Sequence, residues 1–299
     1  MSQAADFTEI RYERPAEHVA RIVLARPDKR NAQDMKMLYQ LNSAFDRAAQ
    51  DDTVKVIILA ADGPHFSSGH DLSDFGSQVG EHGAPITGGG GFARPGPEGY
   101  MAREEEIYLG FCWRWRNLPK PTIAQVQGKV IAGGLMLVWP CDLVIASEDA
   151  EFSDPVVAFG VNGHEFFVHA WELGHRKAKE LLFTGDSIGA LEAKELGMVN
   201  QVVPRDQLEA FTLQMAQKIA KRPSVGLRFA KMSVNQSLEA QGMWTAVQSA
   251  FNLHHVAHAH NWVLHGRVVD PAGADIVRRE AKAGRSAKDS APAEPRSDQ

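Results

Sequence analysis

Two glycine-containing segments could do chemistry with their main chain alone. Residues 67–71 read Ser-Ser-Gly-His-Asp, and residues 132–134 read Ala-Gly-Gly. Each follows an apolar run rich in β-branched residues and precedes a predicted helix, so each would offer free backbone N–H groups. Together they could direct two donors at one oxygen atom, which is what a developing thioester enolate needs. The alternative is that the glycines only allow tight strand–helix packing; the turn at 67–71 favours the first interpretation.

The elements that must position these segments alternate between strand and helix first and are helical later. Apolar runs predict strands at 19–24, 54–60, 122–126 and 143–146, and helical spacing predicts helices at 34–49, 101–117, 208–221, 225–238 and 244–263. Four consecutive glycines fall within a long loop predicted between Gly76 and Gly99. This order predicts an α/β core over residues 1–205, a helical region over 206–280 and a disordered tail over 281–299.

Composition excludes several classes of protein. Hydrophobic residues make up 44% of the 299 residues, charged residues 23%, and the formal net charge is −5, so a basic nucleic-acid groove is not expected. The two cysteines, Cys112 and Cys141, predict free thiols in a reducing, cytoplasmic compartment. We expect no signal peptide and no membrane partner, because the chain shows neither pattern.

Histidines cluster near the C-terminal end. His254 and His258 have the i, i+4 spacing that can bind zinc adventitiously, and His255 and His260 are close by. No cysteine or carboxylate set accompanies them at ligand spacing. The sequence therefore favours a polar helical surface, and no metal site is predicted.

Five segments, in order and at consistent spacing, resemble the crotonase superfamily, that is, the enoyl-CoA hydratase/isomerase family. They are residues 26–32 (RPDKRNA), 66–72 (FSSGHDL), 120–124 (KPTIA), 128–134 followed by Cys141-Asp142, and 182–186 (LFTGD) with 193–199 (AKELGMV). The resemblance covers roughly residues 8–235. It implies a spiral of ββα units, a C-terminal helical trimerisation region and a homotrimer or dimer of trimers. It also implies an acyl-CoA substrate, with coenzyme A as part of the substrate and no separate cofactor.

The same resemblance implies which residues meet the substrate. The thioester oxygen would accept hydrogen bonds from the N–H groups of His70 and Gly133, while Gly134 lets the main chain approach. Coenzyme A would contact Lys29, Arg30, Ser68 and Leu72; a solvated turn is the alternative for the two basic residues.

The chain departs from the family at its acid and base. Met136 and Val156 stand where hydratases of this family carry two glutamates, so they are predicted as apolar substrate contacts. Neither side chain can transfer a proton, which makes ordinary two-glutamate hydration untenable.

Three nearby residues are the candidate replacements. Glu165 is the predicted base, with a pKa raised by its phenylalanine-rich surroundings, unless it pairs with a distant cation or faces a neighbouring subunit. His164, which ordinarily titrates near neutrality, is predicted to assist unless it faces away. Asp154 either points into the site or caps the turn before Pro155.

Two functions remain open on these residues. The first is an enzyme that acts on an acyl-CoA thioester through a stabilised enolate, for which single-base isomerisation needs only one carboxylate. The second is a non-catalytic acyl-CoA-binding homologue. A dinucleotide-binding enzyme is weakly supported, since the turn after the first long strand reads Arg-Pro-Asp-Lys rather than a glycine fingerprint.

Overall fold

A six-stranded sheet forms the centre of the protein. The computed structural model describes residues 7–74, 77–87 and 89–290. The strand order is β1-β2-β3-β4-β6-β9, with β1 and β2 antiparallel and the other neighbours parallel. The bounds are β1 Ile10–Ala16, β2 Val19–Leu24, β3 Val56–Ala61, β4 Thr122–Val126, β6 Leu143–Ser147 and β9 Gln201–Val203. Every residue of β3 and β4 is buried, because parallel strands are covered on both faces. The predicted strands at 19–24 and 122–126 are confirmed.

A second, three-stranded sheet was not predicted. It contains β5 (Lys129–Ile131), β7 (Glu151–Ser153) and β8 (Ile188–Gly189), in the order β5-β7-β8. These strands have two or three residues each, too short for a period-two pattern to be recognised. The chain passes from β4 to β5 and from β6 to β7, so each turn of the spiral contributes to both sheets. The two sheets and the helices between their strands form the α/β architecture that the sequence predicts.

Helices enclose the sheets. Helix α1 (Met35–Gln50) begins at Asp34, whose side chain accepts a hydrogen bond from the Met37 N–H (2.7 Å). The others before the C-terminal region are α2 (Pro97–Glu104), α3 (Phe111–Arg116), α4 (Leu135–Val138), α5 (His169–Thr184) and α6 (Ala190–Glu195). A π-helical segment, Glu105–Gly110, joins α2 to α3 without a break. The predicted helix at 101–117 is thus present but begins four residues earlier.

The loop before α2 contains turns and no regular strand or helix over its described part, 77–87 and 89–96. Gly76 and Gly88, which belong to the predicted loop, lie outside the described residues. The buried Glu106 carboxylate connects this loop to the π-helical segment through hydrogen bonds. It accepts hydrogen bonds from the Ile86 N–H (2.7 Å), the Thr87 N–H (2.8 Å) and the Thr87 hydroxyl (2.5 Å).

The C-terminal region is helical, as the sequence indicates, through α7 (Leu208–Ala220), α8 (Ser224–Ala240), α9 (Met243–His265) and α10 (Gly273–Ser290). Residues 281–290 continue α10, although the sequence predicts disorder from 281; residues 291–299 lie outside the described residues. Among the helices described, none combines the length and apolarity needed to cross a bilayer.

The histidines of α9 correct a second expectation. His254, His255 and His258 are buried, whereas a polar helical surface was predicted; His260 is exposed. They are buried because α9 is covered by α2 on one side and by the segment that follows it, which includes Val268, on another.

Candidate active site

Both predicted glycine segments reach one cavity of about 920 Å³. Ser68, His70 and Leu72 line it from the first segment, and Ala132 and Gly133 from the second. The remaining walls are formed by the segment 155–165, which includes Glu165, by the 77–96 loop, by α2 and Tyr108, and by α9, the residues that follow it and the start of α10. The sequence prediction that these two segments share one site is consistent with this geometry.

Gln33 holds the two segments in register. Its main chain bonds both neighbours of His70, since its N–H donates to Gly69 O (2.8 Å) and its carbonyl accepts from the Asp71 N–H (2.8 Å). In such a bridge the N–H of His70 itself points away from Gln33. The Gln33 amide, which is buried, also donates to Gly133 O (2.7 Å) and to Ser67 Oγ (3.2 Å). One side chain therefore fixes both candidate donors relative to each other.

The backbone at this point has no room for larger residues. A Cβ atom added to Gly133 would lie 2.5 Å from Cε1 of the His70 ring, and one added to Gly134 would lie 2.8 Å from Ser67 O. Ala132 adopts φ +47°, a left-handed conformation that costs about 1–2 kcal/mol for a residue with a Cβ. Such local strain is typical of sites where the main chain must present its polar groups.

Glu165 lies in the cavity beside His70. Its carboxylate is buried, and Oε2 lies 3.3 Å from His70 Nε2. The His70 ring stacks on Tyr108, with ring centres 3.9 Å apart and planes 19° apart. The ring is therefore held from two sides, by Glu165 and by Tyr108.

The predicted rise in the pKa of Glu165 is wrong. Burial by itself would raise that pKa, but the nearby imidazoles of His70 and His254 outweigh it and lower the pKa below its ordinary value. The sequence near Glu165 is rich in phenylalanine, whereas in the fold the side chains of His70 and His254 also lie close to the Glu165 carboxylate. Glu165 is consequently an ionised carboxylate at neutral pH.

His164 also lines the cavity, but it does not titrate near neutrality as expected. Its ring packs against Trp139 and His169, with centres 5.0 and 4.6 Å away. Burial, followed by the proximity of His169, lowers the pKa of His164 to about 3. His164 is therefore a neutral imidazole over the physiological range.

Asp154 takes neither of the two positions considered for it. It is fully buried behind the cavity wall, and no side-chain cap to the turn at Pro155 is formed. Its Oδ2 accepts hydrogen bonds from the main-chain N–H of His164 (3.0 Å) and from His169 Nε2 (2.8 Å). Burial opposes its ionisation, but these donors lower the pKa of Asp154 below its usual value. It thereby orients the segment that carries Glu165.

The predicted substrate contacts divide into three groups. Ser68, Leu72 and Val156 line the cavity, with Leu72 63% exposed at its mouth. Lys29 and Arg30 are exposed on a turn whose Arg30 O accepts a hydrogen bond from the Ser68 N–H (3.0 Å). Gly134 and Met136 are buried and do not belong to the described cavity wall.

The sequence did not assign three further cavity residues to the site: Glu104, His254 and His258. Glu104 Oε2 lies 3.4 Å from His258 Nε2 and 3.8 Å from His254 Nε2, and His254 Nε2 lies 3.8 Å from Glu165 Oε1. The i, i+4 spacing of His254 and His258 is visible in the sequence. The carboxylate, from a helix 150 positions earlier, could not be assigned to them without the fold.

Known proteins resemble this chain over most of its length. The family model for enoyl-CoA hydratase/isomerase matches residues 14–87 and 102–266, so it leaves out the glycine-rich stretch between them. EchA13 of Mycobacterium tuberculosis, provisionally named an enoyl-CoA hydratase, is 46% identical over 261 residues, which cover 85% of this chain and 82% of the relative.

Solved structures agree. A Mycobacterium thermoresistibile protein, also provisionally named an enoyl-CoA hydratase, is 46% identical with a TM-score of 0.80, covering 87% of this chain and 99% of that one. An enoyl-CoA hydratase/isomerase from Xanthobacter autotrophicus Py2 is 33% identical with a TM-score of 0.77, covering 96% and 100%. The chain therefore belongs to the enoyl-CoA hydratase/isomerase family of the crotonase superfamily.

Proposed function

We propose that this protein acts on an acyl-CoA thioester through an enolate, with Glu165 as the base. The N–H groups of His70 and Gly133 would donate hydrogen bonds to the thioester oxygen and stabilise the negative charge that develops on it. The observation that carries the proposal is a buried carboxylate, Glu165, on the wall of the same cavity as both candidate donors.

Isomerisation of a double bond is the reaction that these residues support best. Glu165 would remove the α-proton of a 3-enoyl thioester, the double bond would shift to the α,β position, and Glu165 would deliver a proton to the γ-carbon. One carboxylate suffices for both transfers, whereas hydration needs one group to activate water and another to protonate carbon. The lowered pKa makes Glu165 a weak base, so enolate stabilisation would have to contribute most of the rate.

Deuterium exchange tests the enolate directly. The protein would be incubated in D₂O with 3-enoyl-CoA thioesters of short, medium and long chain, and label and double-bond position followed by mass spectrometry and NMR. We expect label at the α- or γ-carbon with wild type and a loss of about 10²–10⁴-fold in Glu165→Gln, as for removal of a general base.

Glu148→Gln is the matched control, because Glu148 is exposed and lies outside the cavity wall. Thioester binding with no exchange across the panel would reject the proposed enzyme in favour of a binding protein without turnover. Equal exchange in Glu165→Gln and wild type would reject Glu165 as the base while keeping the enolate.

Substrate, assembly and location follow from the same proposal. Coenzyme A would enter as part of the substrate, with Lys29 and Arg30 near its phosphates. We infer a homotrimer or dimer of trimers, supported by exposed apolar side chains on α8 such as Val225 and Phe229. The free Cys112 and Cys141 are compatible with the cytoplasm. A monomer by light scattering would reject this assembly.

A further inference from the structure

We infer that Glu104, His254 and His258 form a binding site for one divalent transition-metal ion in the cavity wall, with Zn²⁺ as the ion that fits best. The three ligand atoms lie within 4.8 Å of one another, and all three residues are buried. The inference is independent of the proposed reaction, because it concerns binding of an ion and requires no turnover.

The hydrogen bonds of the two imidazoles determine which nitrogen faces Glu104. His254 Nδ1 lies 2.9 Å from the Gly163 carbonyl, and His258 Nδ1 lies 2.5 Å from the Val268 carbonyl. A carbonyl only accepts, so each Nδ1 must carry the proton. Each Nε2 then carries either a second proton, which it would share with a carboxylate, or, in the neutral ring, a lone pair, which is how metal-binding histidines are oriented in proteins.

When both rings are neutral, three acceptors converge in one buried place. Both Nε2 lone pairs then lie near a carboxylate oxygen, Glu104 Oε2. Acceptor atoms repel one another unless a proton or a metal cation lies between them. Neither Glu104 Oε2 nor His258 Nε2 has a hydrogen-bond partner within the described ranges 7–74, 77–87 and 89–290. A proton would satisfy one pair of these atoms, whereas a single divalent ion would satisfy all three.

The distances are close to those of a tetrahedral site. With metal–ligand bonds of about 2.0–2.2 Å, adjacent ligands of a tetrahedral Zn²⁺ lie about 3.3–3.6 Å apart. The distances from Glu104 Oε2 to the two Nε2 atoms are 3.4 and 3.8 Å, so these two pairs need to contract by at most a few tenths of an ångström. The whole set lies within 4.8 Å, so the two imidazoles would approach each other by no more than about 1.5 Å. Two imidazoles and one carboxylate are also ligands that first-row transition metals accept readily.

The surroundings leave one side of the site open. The Tyr100 ring packs edge-on to His258 with centres 5.5 Å apart, and His255 Nε2 lies 3.4 Å from the same Glu104 oxygen. Towards the cavity lies Glu165, whose Oε1 is 3.8 Å from His254 Nε2. An ion here would have three protein ligands and one position for water or a cavity ligand, next to the proposed base.

The second histidine group of the cavity wall is a weaker candidate. Asp154, His164 and His169 also come within 4.8 Å of one another. However, Asp154 Oδ2 already accepts hydrogen bonds from the His164 N–H and from His169 Nε2. Asp154 Oδ2 and His169 Nε2 are therefore already paired with each other and are not free to bind an ion, although Asp154 Oδ1 and both ring nitrogens of His164 have no partner among the described residues.

Cobalt is the probe that tests the site without any activity. The protein would be stripped with a chelator, titrated with Co²⁺ and followed by visible absorption, and the metal content after Zn²⁺ loading would be measured by mass spectrometry. We expect one equivalent of Zn²⁺, intense d–d bands of low-symmetry four-coordinate Co²⁺, and loss of both in Glu104→Gln, His254→Gln and His258→Gln. His260→Gln is the matched control on the exposed side of α9 and should bind as wild type does.

Two measurements on wild type keep the test decisive if the variants fail to fold. Zn²⁺ should raise the thermal midpoint in a concentration-dependent way that a chelator reverses, whereas Mg²⁺ should not. X-ray absorption of the Zn²⁺-loaded protein should show two imidazoles and one carboxylate oxygen. Absence of Co²⁺ bands and of a Zn²⁺ effect would show that a proton alone holds the cluster and would overturn the site, as would binding lost only in His260→Gln.

Discussion

At the scale of single residues, the main chain and the side chains of the site are packed into the same small volume. His70 would supply its main-chain N–H to the proposed oxyanion position, while its ring stacks on Tyr108 and its Nε2 lies beside Glu165. Gly133 lies so close to that ring that a Cβ atom at position 133 would overlap it. The absence of a side chain at position 133 therefore sets both the donor geometry and the position of the His70–Glu165 pair.

Gly133→Ala tests this crowding. The new Cβ would lie 2.5 Å from His70 Cε1, so ring or main chain must shift and the two donors would separate. We expect α-proton exchange to fall about 10²–10³-fold, the usual loss for one displaced oxyanion donor. Gly226→Ala, whose Cβ would meet nothing within 4 Å, should leave exchange unchanged. Wild-type exchange in Gly133→Ala would contradict the assigned donor position.

At the scale of elements, the π-helical segment organises the glycine-rich loop. Glu106 projects from it towards the loop and accepts three hydrogen bonds from Ile86 and Thr87 and one from the Tyr39 hydroxyl (3.3 Å). The loop in turn supplies Val79 and Phe92 to the cavity wall. A mobile lid is one expectation for a long glycine-rich loop; these bonds instead indicate a docked wall around residues 86–87.

Glu106→Gln should loosen that docking. Hydrogen bonds to a charged acceptor contribute about 1.5–3 kcal/mol, so the amides of Ile86 and Thr87 should exchange with solvent about 10–100-fold faster. Hydrogen-exchange mass spectrometry would measure this, with Glu105→Gln as control because the Glu105 side chain is exposed. If both variants protect these amides as wild type does, Glu106 does not hold the loop.

At the scale of the whole molecule, buried neutral imidazoles couple stability to pH. The pKa of His164 is about 3 in the folded protein because of burial, against about 6.5 in an unfolded chain. Between these values the unfolded state binds the extra proton, so the free energy of unfolding decreases as pH falls. From pH 7 to pH 5 this one residue should cost about 2 kcal/mol. The lowered pKa of Asp154 affects the free energy of unfolding in a more acidic range, where the carboxyl groups of the unfolded chain titrate.

Urea unfolding at the two pH values measures the coupling. His164→Gln, which cannot titrate, should reduce the difference in unfolding free energy between pH 7 and pH 5 by about 2 kcal/mol, while His175→Gln on the exposed surface of α5 should retain it. An unchanged difference in His164→Gln would show that His164 is protonated in the folded state.

Much of the fold could be predicted because its information is local. Apolar runs identified β2 and β4 to the residue, and helical spacing of apolar residues identified α1 to within one residue at each end, because in both cases burial is reflected in the residue types of the segment itself. The strands of the small sheet escaped detection because two or three residues carry no period. Disorder was predicted for residues 281–290 from their composition, although these residues continue α10.

The sequence by itself determined the family, the two main-chain segments of the site and the loss of the usual glutamate pair, because each depends on residue types at fixed spacing. Only the tertiary structure decided which groups surround Glu165 and Glu104. His70, His254 and His258 come to these carboxylates from distant parts of the chain, and electrostatic effects depend on distance in space rather than along the sequence. For that reason the direction of the Glu165 pKa and the convergence of Glu104 with the α9 histidines followed from the fold alone.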